Sequence, residues 1–417
     1  SFDLRTPANK WVLASVPQGT PGSAQDLMFP EAKLIDSLAY GYNRAKLMWY
    51  RIDLSVGSDP RDDHYTVPIA QTEVFPNISL VPGFSNNIQT FDLTFRPSER
   101  GPYNFDLPLG QNDPAISAGI TQQGRLAEPA TRWGGIMRDL TVTDFEAANI
   151  EFIEFWMLNP FRNANGPDEG GDLYINLGNI SEDILRDSRY FYENGIPTDG
   201  SGRTDDTNWS LIPRTQNVVN AFANNEADRE IQDVGLDGQN DDGERVKFSE
   251  ALDRYSGFLD PNVFSAIEAD PANDNFVYFR DFPDGTSVLD RYSQFNNPQG
   301  NSQAPSANSR TVQSATNLPD SEDLNRDNTL NETEAYYQYR IPLRSVDDED
   351  GTYTLNFNNP YVTDSIHGAQ GRKWYRFKVP IDQPTSKIGG IQDFRAIRFI
   401  RMYLNNFEDD ITLRFAR

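Results

Sequence analysis

The sequence contains no cysteine. No disulfide can form within the chain, and thiol chemistry and thiolate metal sites are excluded. Histidine is nearly absent as well, with only His64 and His367. A Ser-His-Asp triad or a histidine-rich zinc site would have to use one of these two, and neither lies in a recognisable motif. No apolar run approaches the roughly 20 residues of a membrane-spanning helix. Basic residues are scarce beside acidic ones: 37 Lys and Arg against 62 Asp and Glu, a formal net charge of −25. Such a field repels nucleic acid and anionic lipid, and it suits divalent cations, basic partners or plain solubility. The sequence opens at Ser1 inside what reads as a strand, with no signal-peptide pattern, as expected of a piece excised from a longer chain.

A chain of 417 residues is long enough for one large core or two ordinary domains. Aromatic residues make up 12%, which favours strands over helices. The 29 glycines and 27 prolines are scattered, as many turns require. Several segments alternate with a period of two, the mark of a half-buried strand. Leu173, Ile175 and Leu177 face one way and Tyr174 and Asn176 the other. Tyr337, Tyr339, Ile341 and Leu343 oppose Tyr336, Gln338 and Arg340. Tyr375, Phe377, Val379 and Ile381 oppose Trp374, Arg376 and Lys378, and Ile411, Leu413 and Phe415 oppose Thr412, Arg414 and Ala416. Residues 150–158 and 396–404 are apolar on both faces and read as central strands. A third apolar run extends from Ala45 to Leu54. Helical periodicity is weak, and the best short helices fall at 181–189 and 217–229.

These elements predict a mainly β protein: a jelly-roll-like β-sandwich with a long acidic, loop-rich insertion and a few short helices. Residues 1–165 form the first part of the sandwich, 166–334 the insertion and 335–417 the closing strands. Residues 168–350 hold 37 of the acidic side chains and only 14 basic ones. Within them, 296–320 is a low-complexity loop. A loop region of this length is more often functional or ligand-stabilised than idle.

One stretch carries recognisable chemistry. Residues 323–334, Asp-Leu-Asn-Arg-Asp-Asn-Thr-Leu-Asn-Glu-Thr-Glu, fit a twelve-residue calcium loop. Asp323, Asn325 and Asp327 occupy positions 1, 3 and 5, Thr329 offers its carbonyl at 7, Asn331 sits at 9 and Glu334 is the bidentate carboxylate at 12. Asn328 stands where an EF-hand has glycine, and asparagine tolerates the left-handed backbone needed there. The following residues alternate as a strand, so this is an EF-hand-like loop in a β context. A second acidic stretch, 233–244, offers oxygens from Asp237, Asn240, Asp241, Asp242 and Glu244, without a standard cage spacing. The run Asp270-Pro-Ala-Asn-Asp-Asn275 comes third. The expected cofactor is structural Ca²⁺. The Trp133-Gly-Gly-Ile segment lacks the strand–loop–helix setting of a phosphate site.

Longer motifs run along the whole chain: Trp11-Val-Leu-Ala-Ser-Val-Pro17, Tyr40-Gly-Tyr-Asn-Arg-Ala-Lys-Leu-Met-Trp-Tyr-Arg-Ile-Asp53, Glu99-Arg-Gly-Pro-Tyr-Asn-Phe105, Arg132-Trp-Gly-Gly-Ile-Met-Arg-Asp-Leu140, and residues 144–161, 171–183, 323–337 and 394–407. Together they resemble the SprA family, outer-membrane translocon proteins of the bacterial type IX secretion system. The resemblance implies a giant outer-membrane β-barrel formed by the rest of a parent chain. It further implies export of folded cargo, including gliding adhesins, accessory outer-membrane proteins as partners, and no catalytic residues. The present chain lacks the lipid-facing alternation and aromatic girdles of a barrel wall. It is therefore expected to be a soluble cap or plug region on the outer membrane, facing the extracellular side rather than the periplasm, and not an enzyme. The alternative is a carbohydrate-binding or calcium-rigidified adhesin-type β-sandwich module. Trp133, Trp156, Trp209 and Trp374 would be its stacking platforms, although Trp156 lies in an apolar strand and reads as core.

Overall fold

The computed structural model describes residues 2–5, 8–53, 56, 64–79, 83, 85–215, 219–302 and 316–417. Leu54, the start of the expected helix at 217–229 and most of the low-complexity loop lie outside them. The chain is mainly β, with 28% of residues in strands and 16% in helices. Nine strands build its frame: β1 (Ala45–Tyr50), β2 (Phe91–Arg100), β3 (Trp133–Asp139), β4 (Phe152–Leu158), β5 (Gly170–Asn179), β6 (Ala335–Asp347), β7 (Lys373–Pro380), β8 (Phe399–Asn405) and β9 (Ile411–Ala416). All pair antiparallel. One sheet runs β3-β8-β5-β6 and the other β7-β4-β9-β2-β1, with short edge strands added at Val12–Leu13, Tyr353–Leu355, Ser386–Ile388 and Val362–His367. Numbering β2 to β9 as one to eight, the sheets read 2-7-4-5 and 6-3-8-1. That is the strand order of a jelly roll.

The period-two pattern explains the core between the sheets. Leu173, Ile175, Leu177, Tyr339, Ile341, Ile400 and Leu404 point inward from one sheet, and Leu93, Phe95, Met157, Phe377, Leu413 and Phe415 from the other. The adjacent glycines of Trp133-Gly-Gly-Ile belong to this packing and not to any phosphate loop. A Cβ at Gly134 would come 2.9 Å from the Leu47 Cβ and 3.0 Å from the Phe95 ring. One at Gly135 would press on the Trp133 ring and the Tyr403 Cβ. Gly134 lets the two sheets approach where a side chain would hold them apart, and Gly135 makes room for the aromatic packing on the outer face.

Both sheets are also covered on their outer faces, which the alternation does not reveal. Tyr174, Tyr336, Phe399 and Tyr403 form a second core with Phe29, Trp209, Leu236 and Phe248, so β5 is buried on both sides. Trp156, Leu158, Trp374 and Ala416 are capped by Tyr65, Ile69 and Val74. Met48 and Tyr50 of the edge strand β1 are wrapped by Phe279, Val288 and Tyr292. The stretch between β5 and β6 covers residues 180–334, and strand β5 itself, placed inside the 166–334 stretch by composition, is a sheet member.

Residues 181–189 are not helical. Their backbone amides are taken by carboxylates: Asp183 accepts from Asp187 and Ser188, and Glu322 from Ile184 and Leu185. The second expected helix shortens to α3 (Glu226–Gln232), capped by the Asn225 side chain on the Ala227 N–H. Earlier, short helices occur as α1 (Ala24–Met28) and α2 (Gln71–Val74). Three more follow α3: α4 (Asp241–Lys247), capped by Asn240, α5 (Ser249–Ser256) and α6 (Pro261–Ala269). Each is too short for its period to stand out, and few of their residues are buried: Ala251, Leu252 and Tyr255 on α5, and Ile267 alone on α6.

Phe377 is fully buried at the centre of the sandwich, its ring stacked on Phe155 at 5.0 Å. Phe377→Ala removes a ring from a close-packed core and is expected to lower the unfolding free energy by about 3–5 kcal/mol, as measured by denaturant titration.

Candidate metal centre in the acidic insertion

A loop-rich segment has backbone N–H groups that no ladder satisfies. In residues 180–334 buried carboxylates take much of that role. Glu193 accepts from the N–H groups of Val234 and Gly235 through one oxygen and from Asp320 through the other, at 3.1, 2.9 and 2.5 Å. Glu322 accepts from Ile184 and Leu185 at 2.7 and 3.0 Å. Glu182 holds Leu324 and Asn331 at 2.6 and 3.2 Å. Charged acceptors make strong bonds of this kind, but burial disfavours their ionised form. Burial accordingly pushes Glu193 and Glu322 well above the usual carboxylate range, and Glu182 up to about 7.

The calcium-loop candidate folds as a turn without closing as a cage. Asp323 accepts from the N–H groups of Asp327 and Asn328 at 3.0 and 2.8 Å and from the Tyr190 hydroxyl at 3.2 Å. The Asn325 side chain bonds Asp327, and Asp327 in turn holds the Thr329 N–H at 3.0 Å. Asn328 has φ of +62°, the left-handed backbone expected of it. Glu334, meant for position twelve, is engaged elsewhere. Both its oxygens face the Arg401 guanidinium at 2.9 Å, and one also accepts from the Ser181 N–H. Arg401 is fully buried, so the sheet claims this carboxylate. Asp323, Asn325, Asp327 and Thr329 are thus brought together, and Glu334 is not.

The second acidic stretch is the one that gathers carboxylates. One oxygen each of Asp237, Glu244 and Asp274 lies within 4.8 Å of the others, and all three residues are buried. Asp241 and Asp270 form a second, half-buried group around the same Glu244. Asp242 is left out and pairs with Arg245 on the exposed side of α4. Asp237 sits in the loop after α3, Glu244 on α4 and Asp274 in the loop after α6. These segments meet at Tyr103, in the loop after β2. Its hydroxyl donates to Asp274 Oδ2 at 2.6 Å and accepts the Leu236 N–H at 2.8 Å. Its own N–H donates to the Ala272 carbonyl at 2.7 Å. Gly235 is required for this approach: at φ of +79°, a Cβ there would lie 2.4 Å from Asp274 Oδ2. Burial, followed by mutual repulsion, holds Asp237 and Asp274 well above the usual carboxylate range. Burial likewise raises Glu244 to about 8. The sequence pattern points to Asp237 and Glu244. Asp274 lies in the run ranked third, and nothing local marks Tyr103.

The remaining candidates are placed as follows. Trp133, Trp209 and Trp374 are among the largest fully buried side chains, and Trp156 is 7% exposed. None forms a stacking platform. His64 is half-buried, its imidazole pushed down to about 4 by burial and by Arg162, Arg372 and Arg414. His367 ends the exposed edge strand.

Residues 251–417 match the family model SprA_N, described as a motility related/secretion protein. This match supports membership of the SprA family. The match takes in most of α5, all of α6, Asp270, Asp274, the 323–334 turn, Arg401 and strands β6 to β9. No curated protein matches the sequence.

Two predictions follow from this electrostatic framework. Glu334→Gln leaves Arg401 buried without its counter-charge and is expected to cost about 3 kcal/mol or more. If Glu334 serves the sheet, chemical denaturation shows the same loss with calcium and with chelator. Asp187 is the second case. Burial, followed by repulsion from Asp183, raises its carboxyl to about 7 against an ordinary 3.8. The folded chain therefore holds a proton that the unfolded chain releases. The stability this contributes is complete below about pH 4 and is lost as pH rises through 7. In chelator, the melting temperature of Asp187→Asn is expected to fall less between pH 5 and pH 8 than that of the wild type.

Proposed function

We propose that this chain is a non-catalytic structural and gating region, a cap or plug, of an outer-membrane protein-secretion translocon, stabilised by structural calcium. The family match over residues 251–417 carries the reading, since its description joins motility and secretion. The architecture is compatible with it: a jelly roll carries a large acidic insertion that covers the outer face of one sheet and wraps the edge strand of the other. Its partners would be accessory outer-membrane proteins and secreted cargo, with the parent chain forming the barrel. The extracellular side suits a calcium-dependent element, because cation there is abundant enough to fill even a weak site. Among the described residues no helix is long and apolar enough to cross a membrane. The carbohydrate-binding alternative loses its motivation once the four tryptophans are found in the core, and a glycan array is expected to show no binding.

The test is made in the intact parent protein in a secreting cell. Residues 180–334 are replaced by a short Gly-Ser linker joining Asn179 to Ala335. The expected result is an assembled barrel with altered cargo export or increased permeability of the outer membrane to large solutes. An assembled barrel with unchanged export and unchanged permeability contradicts the reading.

A further inference from the structure

We propose that Asp237, Glu244 and Asp274 form a buried site for one hard divalent cation, calcium by its chemistry, which fastens the acidic insertion to the sandwich at Tyr103. The site is distinct from the calcium-like turn at 323–334. It does not depend on the secretion reading, since the cation would bind whatever the parent protein does.

The first observation is a set of orphaned oxygens. Asp237 Oδ1 accepts the Gln239 N–H at 3.1 Å, Glu244 Oε2 the Ala272 N–H at 2.9 Å and Asp274 Oδ2 the Tyr103 hydroxyl at 2.6 Å. The second oxygen of each, Asp237 Oδ2, Glu244 Oε1 and Asp274 Oδ1, is buried and has no hydrogen-bond partner. All three residues are 0% exposed. Native interiors rarely leave one such atom unsatisfied, and here three occur in residues that already share a 4.8 Å neighbourhood.

The second observation is that, among the described residues, no basic side chain forms an ion pair with the cluster. The two basic residues of α4 are engaged outward. Arg245 bonds Asp242 and the Glu268 carbonyl, and Lys247 bonds Asp206 and the Thr207 carbonyl. Several buried carboxylates of the sandwich are matched by a guanidinium, as in Asp106 with Arg132 at 2.7 Å and Glu73 with Arg372 at 2.7 Å. Three buried carboxylates with no such partner must be protonated or hold a cation.

The donor set chooses the class. Every ligand is oxygen and none is histidine or cysteine, which favours calcium or magnesium over zinc or copper. Calcium takes six to eight oxygens in adaptable geometry, whereas magnesium demands a near-ideal octahedron. Ligands drawn from three separate segments suit the adaptable ion. Because Tyr103 bonds Asp274, Leu236 and Ala272 together, filling the site would draw the loops after α3 and α6 onto the sandwich.

The experiment uses the whole chain freed of metal with chelator. Calcium is titrated by calorimetry, and melting is followed with calcium, with magnesium and with chelator. The expected result is saturable calcium binding, a melting temperature raised by several degrees, and a smaller shift with magnesium. The double variant Asp237→Asn/Asp274→Asn keeps the shapes and removes two charges. It should melt no lower than wild type in chelator and should lose the calcium shift. Asp323→Asn/Asp327→Asn should retain that shift. A terbium luminescence signal on the wild type, excited through nearby tyrosine and displaced by calcium, gives a readout that needs no variant. No binding at millimolar calcium would overturn the proposal, as would a shift that survives the Asp237/Asp274 variant or vanishes in the Asp323/Asp327 variant. A magnesium shift equal to that of calcium would overturn the assignment to calcium.

Discussion

A carboxylate taken out of water must find a compensating positive charge, a cluster of donors or a proton. This chain buries many carboxylates, and the way each is compensated divides the structure. In the sandwich several partners are guanidinium groups, Arg132 for Asp106, Arg372 for Glu73 and Arg414 for Asp92, and Arg401 of the sheet takes Glu334 at the end of the insertion. In the insertion arginine and lysine are few, and backbone N–H groups replace them, so that Glu182, Glu193 and Glu322 act as the organising centres of loops. At Asp237, Glu244 and Asp274 both resources run out, and three oxygens are left over. That shortfall marks the position where something from solution belongs.

The sandwich was legible because sheets write themselves in a period of two. The strands at Leu173–Leu177, Tyr337–Leu343 and Tyr375–Val379 fall where alternation puts them, and their inward residues form the central core. What alternation could not show is that the opposite faces are covered too. Tyr174 and Tyr336 look solvent-facing by pattern, yet they pack against Phe29, Trp209 and Leu236 from distant segments. An aromatic side chain serves either a wet face or a second core, and only tertiary structure decides. The helices failed for a related reason. Residues 181–189 have a helical look, but Glu322 and Asp183 compete for their amides, and α6, at nine residues, has too few turns for a period to announce itself.

The candidate site was half legible. Local spacing finds a calcium-like turn at 323–334, and the turn forms, including its left-handed Asn328. Spacing cannot know that Glu334 is claimed by Arg401 from the central strand β8. Conversely, Asp237 and Glu244 have no standard spacing, and their third partner arrives from the loop after α6 through the fold. A site assembled from three segments leaves no local signature beyond acidity, which this chain has everywhere.

The similarity of residues 251–417 to the SprA family and a carboxylate-organised insertion meet in one object: a jelly roll and a charged mass joined to it at the loop after β2. The central claim is that cation binding at the buried trio fixes that attachment. Hydrogen exchange on the whole chain, with calcium and with chelator, tests it most directly. The account predicts that calcium slows exchange together at residues 101–106, 234–238 and 270–275. Slowing confined to 323–334, or none at all, would contradict it.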